Sequence, residues 1–203
     1  MEYWLVPHSN PTWSPPEITM AVIPPSICYA GIGSRETPPD VLMTMERFGL
    51  MMARRGHTLR TGAAPGADQA FMRGCTSGHG RMELFLPWAS FEAPAVQLAR
   101  GPNTMVYLYP PEWAYEHAFR FHPAPHRLSQ GARSLMARNS CQILGWDSQK
   151  ISTIICCWTK DGGPSGGTGQ ALRIGNAHKV LTFNLQKTHD RASVEDLLRK
   201  EGL

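Results

Sequence analysis

Short apolar runs alternate with amphipathic segments along the chain from residue 27 onward. Several of these runs end in a turn that contains glycine, and a helical pattern follows the turn. This alternation is typical of βα units, in which helices cover a parallel sheet. The runs predict strands at residues 27–30, 57–60, 82–86, 153–158 and 180–184, whereas the run MVYLY at 105–109 fits a strand or a loop.

The clearest predicted helix follows Thr37. Thr37 can cap this helix, and Pro38 suits its first position because the missing N–H needs no partner there. Gly56 ends it. Its apolar stripe consists of Val41, Met45, Phe48 and Met52. Further helices are predicted over residues 127–144, after Gly66, over residues 170–175 and from Ser193.

These elements predict an α/β fold, a Rossmann-like three-layer sandwich with a mainly parallel sheet. A sheet order of 3-2-1-4-5 for the five predicted strands would open a crevice between the first and fourth strands, where the order reverses. Residues 26–203 are predicted to form this nucleotide-binding domain. Residues 1–25 contain six prolines and two tryptophans without periodicity, so they are predicted to form an arm that is either unstructured or docked on the same or a neighbouring subunit.

Composition narrows the class of function. The 18% charged residues and net charge of +4 are ordinary for a globular protein and modest for a nucleic-acid protein. No apolar run approaches the ~18 residues of a membrane helix, and the first residues do not resemble a signal peptide. We therefore expect a cytoplasmic protein without a membrane partner. The five cysteines show no CxxC spacing, so we expect no metal and no cofactor.

The first glycine-rich turn lies between the strand at 27–30 and the long helix. A strand, a tight turn and a helix N-terminus together present backbone N–H groups to a phosphate, while hydroxyls and a guanidinium add donors. The alternative is a plain βα turn whose glycines relieve backbone strain. The candidate ligand-binding residues here are Gly31, Gly33, Ser34, Arg35 and Thr37.

A second turn, TGAAPGAD, follows the strand at 57–60. Its small residues permit a close approach of backbone to a ligand, and Gly62 and Gly66 are candidate contacts. Asp68 stands at the start of the next helix, where it either caps the backbone or binds a ribose hydroxyl.

The third turn, at residues 159–169, is the strongest local signal, because five glycines in eight residues are costly to order unless backbone wraps a ligand closely. It lacks the GK[ST] ending of a Walker A loop, which disfavours an ordinary P-loop ATPase. The candidate ligand-binding residues are Ser165, Gly166, Gly167 and Thr168.

Arg138 and Asn139 lie within the apolar helix at 127–144 and need partners there, since an unpaired buried guanidinium is costly. The partner is either a carboxylate, such as Glu83 or Asp147, or the phosphate or base of a ligand. The aromatic segment around Glu116 could form a lid with a general acid or base, or complete the core.

Three segments in the same order resemble the SLOG superfamily of Rossmann-like nucleotide-binding proteins, which includes the DNA-processing protein A family and the Lonely-Guy phosphoribohydrolases. YAGIGSRETP and LRTGAAPGADQAF resemble two turns of the DNA-processing proteins. PSGGTGQALRIG is similar to the glycine-rich turn of the whole superfamily. The resemblance covers roughly residues 27–185 and implies a phosphate-bearing ligand at 31–35 and 166–168, often in a homodimer.

The Lonely-Guy enzymes have an Arg-Lys pair on a helix and a glutamate just after the glycine-rich turn. Arg138 and Asn139 stand where the pair would be, and Gln170 occupies the region of the glutamate. An amide cannot act as a general base, so a hydrolase would need Glu83 or Glu116 beside Arg138 as its catalytic groups.

The first functional hypothesis is a protein that binds a phosphate-bearing nucleotide or nucleotide derivative, as a sensor, a sequestering protein or a processing enzyme. One alternative is a nucleotide N-glycosidase similar to the phosphoribohydrolases. The other is a single-stranded DNA-binding recombination mediator, which the resemblance implies but which the scattered basic residues do not support. Whether the ligand is turned over stays open at this point.

Overall fold

A computed structural model describes residues 26–203. Six parallel strands form one sheet in the order β4-β3-β2-β1-β5-β6. The strands are β1 (Cys28–Gly31), β2 (Thr58–Thr61), β3 (Arg81–Leu86), β4 (Thr104–Leu108), β5 (Ile154–Cys157) and β6 (Leu181–Asn184). The predicted order of five strands is confirmed, and the ambiguous run MVYLY supplies most of a sixth strand beside β3.

Helices cover both faces of the sheet, which makes the Rossmann-like three-layer sandwich that the sequence predicts. The helices are α1 (Pro39–Arg54), α2 (Ala67–Ser77), α3 (Ala93–Ala99), α4 (Glu112–Phe121), α5 (Gln130–Leu144), α6 (Gly166–Ala177) and α7 (Thr188–Lys200). Helices α1, α2, α3 and α7 pack on one face around Tyr29 and Phe71. Helices α4, α5 and α6 pack on the other face.

The central strands of the sheet are covered by helices on both faces. β1 and β5 are buried along their whole length, and neighbouring side chains alternate between the two helical layers. Tyr29 joins the core under α1, for example, and Ala30 joins the core under α5. β1 lies between β2 and β5, so the chain adds β2, β3 and β4 on one side of β1 and then β5 and β6 on the other. A crevice forms where the strand order reverses in this way, and such folds bind ligands there.

Four helix boundaries differ from the sequence prediction. Pro38, rather than Thr37, is the N-cap of α1, and the Thr37 hydroxyl instead donates to the carbonyl of Ser34 at 2.8 Å. α6 begins at Gly166, so part of the predicted third turn is the first turn of a helix. α5 begins three residues later than predicted and α7 begins five residues earlier.

Two further findings complete the description. Helices α3 and α4 have no counterpart in the sequence prediction. The α3 segment is short and contains Pro94, and the α4 segment was interpreted as an aromatic lid or surface excursion, although Trp113, Ala114, Ala118 and Phe121 form a stripe on one side of the helix. Within residues 26–203, no helix is both long and apolar enough to cross a membrane. The predicted arm, residues 1–25, lies outside the described residues.

Candidate functional site

A cleft of about 540 Å³ opens at the carboxyl edge of the sheet, above the point where β1 and β5 meet. The turn after β1, the turn after β5 and one side of α5 form its walls. The residues that line it are Ile32, Gly33, Ser34, Arg35, Glu36, Ala64, Asp68, Leu135, Met136, Arg138, Asn139, Gln142, Thr159, Lys160, Ser165, Gly166, Gly167, Thr168 and Ala171.

The N-terminus of α6 faces this cleft without a cap. The N–H groups of Gly166, Gly167 and Thr168 have no hydrogen-bond partner within residues 26–203. Ser165 is the N-cap residue, but its hydroxyl donates to Oδ1 of Asp161 at 2.7 Å instead of serving the helix. Three backbone donors and the positive end of the helix dipole are therefore available to an anion in the cleft.

The loop before α6 is held in place from both sides. The Thr159 hydroxyl donates to the carbonyl of Gly163 at 2.8 Å and accepts from Nδ2 of Asn184 at 2.7 Å. A Cβ atom on Gly169 would lie 2.1 Å from the carbonyl oxygen of Pro164, so the loop packs directly on the first turn of the helix. Gly169 therefore allows the loop to pack on the helix, and the Thr159 hydrogen bonds connect the loop to β6.

The turn after β1 forms the opposite wall. The N–H of Ser34 donates to the carbonyl of Trp158 at 3.3 Å, which ties this turn to the end of β5. The Ser34 hydroxyl accepts from the N–H of Glu36 at 3.0 Å. Arg35 is exposed and lines the cleft. Two of the three segments that resemble the SLOG superfamily, the turns after β1 and after β5, thus lie side by side.

Arg138 and Asp68 form a buried ion pair at the floor of the cleft. Nη1 of Arg138 donates to Oδ2 of Asp68 at 3.0 Å, and the side chains are 7% and 4% exposed. The same carboxylate oxygen accepts from the N–H groups of Gly62 and Ala64, at 3.2 and 3.4 Å. Burial raises the pKa of Asp68, and the charge and hydrogen bond of Arg138 oppose that rise. Asp68 therefore fixes the second turn and the arginine together.

The guanidinium of Arg138 is only partly satisfied by the protein. Its Nε atom is buried and has no partner in the described structure. The guanidinium carbon lies 5.8 Å from the centre of the Phe91 ring. Burial lowers the pKa of Arg138, and the positive charge of Arg35 adds to that effect. The charge and hydrogen bond of Asp68 oppose this lowering. Beside its ion pair with Asp68, Arg138 therefore keeps one buried donor without an acceptor, and a second cation lies nearby.

The side-chain amides of Asn139 and Gln142 on α5 complete the floor of the cleft. Nδ2 of Asn139 donates to the carbonyl of Gly167 at 3.0 Å, which links α5 to the uncapped end of α6. In the orientation that satisfies its neighbours, the Gln142 oxygen accepts from Nη1 of Arg138 at 3.0 Å and from the N–H of Gly62 at 2.9 Å.

Four of the predicted ligand-binding residues have packing roles and do not line the cleft. A Cβ atom at Gly31 would meet Phe71 at 2.6 Å, and one at Gly62 would meet Nη1 of Arg138 at 1.6 Å. Gly66 has a φ of +83° and lies against the carbonyl of Ser34. The fourth is Thr37, which donates to the same carbonyl. The predicted residues that do line the cleft are Gly33, Ser34, Arg35, Asp68, Arg138, Asn139, Ser165, Gly166, Gly167 and Thr168.

The two candidate catalytic glutamates lie away from the cleft. Glu83 accepts from Nε of Arg60 at 2.7 Å, and Glu116 is exposed on α4. Gln170 is fully buried; its Nε2 donates to the Ser140 hydroxyl at 3.4 Å, and its Oε1 has no partner among the described residues. Of the three suggested catalytic groups, Arg138 alone lines the cleft.

Sequence reasoning missed two charged residues of the cleft, Glu36 and Lys160. Both stand inside turns whose other residues were singled out, so their positions in those turns were the available signal. It also missed the apolar wall of Ile32, Leu135 and Met136, which has no polar residue to mark it. Within residues 26–203, no group of three or more His, Cys, Asp or Glu side chains is placed to hold a metal ion.

Fold and site together define a Rossmann-like domain with a cleft at the switch point of its sheet. Its charged lining residues are Arg35, Arg138, Lys160, Glu36 and Asp68. No protein-family model and no curated protein matches the sequence. The structure is similar to the Moco carrier protein of Chlamydomonas rheinhardtii, with 13% identity, a TM-score of 0.44 and coverage of 77% of this chain and 74% of that chain.

The structure is also similar to DNA processing protein A from two bacteria. The Helicobacter pylori protein is 13% identical with a TM-score of 0.43, over 86% of this chain and 81% of that chain. The Streptococcus pneumoniae protein is 11% identical with a TM-score of 0.40, over 77% of this chain and 58% of that chain. At these identities the likeness concerns the fold alone.

Proposed function

We propose that this domain binds a phosphate-bearing nucleotide or nucleotide derivative in the cleft between the turns after β1 and β5. One observation carries the proposal: the unpartnered N–H groups at the start of α6 and the partly unsatisfied Arg138 line the same cleft. Two independent kinds of anion-binding group converge there, and Arg35 and Lys160 add positive charge.

The size and lining of the cleft favour a ligand larger than phosphate. A volume of about 540 Å³ lies within the range of small-molecule sites. Leu135 and Met136 offer an apolar wall for a flat base, and the amides of Asn139 and Gln142 offer polar contacts. The phosphate would occupy the end near Gly166, and the base would pack along α5.

The hydrolase alternative has weaker support from this geometry. Cleavage of an N-glycosidic bond needs a carboxylate near the sugar. The carboxylates that line the cleft within residues 26–203 are Glu36 and Asp68, and Asp68 is already bound by Arg138 and two backbone N–H groups. We therefore propose binding as the basic activity.

Arg35→Ala tests the position of the phosphate. Arg35 is exposed, so its loss should leave the fold intact, and it should weaken nucleoside monophosphate binding about tenfold or more because a charge-assisted contact is lost. Isothermal titration calorimetry with a panel of nucleoside monophosphates and a single-stranded oligonucleotide gives the affinities. Arg47→Ala is the matched control, because Arg47 is exposed on α1 outside the cleft.

Equal affinity in Arg35→Ala and the parent chain would place the phosphate elsewhere. Binding of the oligonucleotide alone would instead support the single-stranded DNA alternative, the activity of the Helicobacter protein. Free base released during the titration, measured by chromatography, would support the hydrolase.

A further inference from the structure

A second concave surface lies on the other helical layer, away from the nucleotide cleft. This α2–α3 groove has a volume of about 350 Å³ and runs between helices α2 and α3, with Glu46 of α1 at its rim. Met72, Ala95 and Ala99 contribute apolar surface to its lining, and Leu98 stands at its side with 84% of its surface exposed. The other lining residues are polar or charged: Gln69, Arg73, Thr76 and Ser77, with Arg73 paired to Glu46. A highly exposed leucine beside a groove that combines apolar and polar surface is typical of a docking surface.

The groove lies near the point where the chain enters the described structure. Ser26 accepts a hydrogen bond from Nη2 of Arg81 at 3.0 Å, at the amino end of β3. α2 ends at Ser77, four residues before Arg81, and α3 ends at Ala99, just before β4. All strands are parallel, so Ser26 and the Ser77 and Ala99 end of the groove share one edge of the sheet.

The 25 residues that precede Ser26 have the composition of a groove-binding segment. They contain six prolines, the apolar residues Trp4 and Trp13, two glutamates and no lysine or arginine. Proline-rich segments favour the extended polyproline conformation, which lays side chains into apolar grooves at a low entropic cost. Trp13 lies within this proline-rich stretch, two residues after Pro11 and two before Pro15.

The tether is long enough for this contact. Trp13 is 13 residues from Ser26, and 13 residues of extended polyproline backbone span roughly 40 Å. The 11 residues of α2 extend over only about 16 Å, so Trp13 reaches every part of the groove. A tethered segment also has a high effective concentration, which favours the groove of its own chain over that of another.

We propose that the arm, residues 1–25, docks in the α2–α3 groove of its own chain, with Trp13 as its apolar anchor. Docking covers the exposed face of Leu98 and removes the Trp13 indole from water. The contact lies on the helical layer opposite α5 and α6, so it is separate from nucleotide binding.

Fluorine NMR of the full chain tests the proposal. The six tryptophans are labelled with 5-fluorotryptophan, and Trp13→Phe and Trp4→Phe assign the two resonances of the arm. A docked Trp13 should show little change of its fluorine shift between H₂O and D₂O. In Leu98→Glu, Trp13 should show the full solvent isotope shift of a free indole, because a carboxylate replaces the exposed apolar side chain against which the indole packs.

Met43→Glu is the matched control, since Met43 is 66% exposed on α1 and lies outside the groove. It should leave the Trp13 resonance unchanged. A full isotope shift of Trp13 in the unmodified chain would overturn the proposal, as would equal effects of Leu98→Glu and Met43→Glu. A Trp13 resonance that moves on dilution would place the arm on a second copy instead and would also overturn it.

Discussion

At the scale of single residues, Gly62 leaves free the space that the Arg138 guanidinium occupies. A Cβ atom at position 62 would overlap the guanidinium, because the guanidinium lies directly against the glycine backbone and is held there by Asp68. No other residue type leaves this space free. The second turn thus supports the cleft indirectly, by admitting the arginine from α5.

Gly62→Ala should displace Arg138 from Asp68 and lower the free energy of unfolding by about 1–3 kcal/mol, the usual cost of overpacking a buried site. Urea denaturation followed by circular dichroism measures this change. Gly101→Ala is the control, since nothing lies within 4 Å of a Cβ atom there. A loss of stability no larger than that of the control would mean that Arg138 moves without cost.

His57 gives the protein a predictable response to acid. Burial lowers its pKa below 6.5, and the charges of Arg55 and Arg81 add to the effect. Nδ1 of His57 accepts from the N–H of Ile27 at 3.4 Å, a role that suits the neutral ring. As the pH falls below about 6.5, the unfolded chain takes up the proton first, so stability that is present above that value is lost.

His57→Asn keeps an acceptor for Ile27 and removes the titration. The parent chain should lose stability more steeply than this variant as the pH falls below about 6.5. Chemical denaturation at a series of pH values gives the free energy of unfolding of both proteins as a function of pH. Equal slopes of the two curves would mean that other groups cause the acid sensitivity.

Residue types that need partners were visible in the sequence, but the partners themselves were not. Arg138 was expected to pair with Glu83, Asp147 or a ligand, and it pairs with Asp68, which is 70 positions away. Glu83 pairs with Arg60 instead. Such pairings depend on how α5 packs over β2 and β3, and no local pattern in the chain encodes that packing.

The start of α6 is the element on which the proposed function depends most. Its loop and first turn pack backbone against backbone at Gly169 and Pro164, whereas Gly167 faces open space apart from Met136 at 3.5 Å. Two glycines that are two residues apart therefore have different roles. Gly169 shapes the loop, and Gly167 keeps the mouth of the cleft open.

Gly169→Ala should lower the free energy of unfolding by about 1–3 kcal/mol, because its Cβ atom would overlap the Pro164 carbonyl. Gly167→Ala should leave stability unchanged or raise it by up to about 1 kcal/mol, since alanine favours helix. Thermal denaturation of both variants measures the two changes in stability. Equal stabilities would contradict the fixed loop.

Elements with a strong period were predictable, and elements fixed by tertiary contacts were not. α1 and the sheet order follow from apolar stripes and glycine turns. β4 was ambiguous because it is an edge strand with exposed Met105 and Leu108, so burial does not mark it. The early start of α7 was missed because its first turn, from Thr188, is polar.

At the scale of the whole molecule, ligand binding should be local to one edge of the sheet. Hydrogen exchange with and without a bound nucleoside monophosphate should show protection of the amides at residues 166–168, whose donors are free in the described structure. Residues 78–80, at the opposite edge, should exchange at an unchanged rate. Uniform protection along the chain would indicate global stabilisation rather than the proposed contacts.

The switch between β1 and β5 divides the cleft between two stretches of chain. Arg35 and Arg138 precede the exposed loop at residues 147–149, and Lys160 and the start of α6 follow it. A polypeptide cut in that loop would leave two fragments, each with half of the anion-binding groups. Nucleotide recognition would then report the reassembly of the fragments, which makes the fold a natural scaffold for a split sensor.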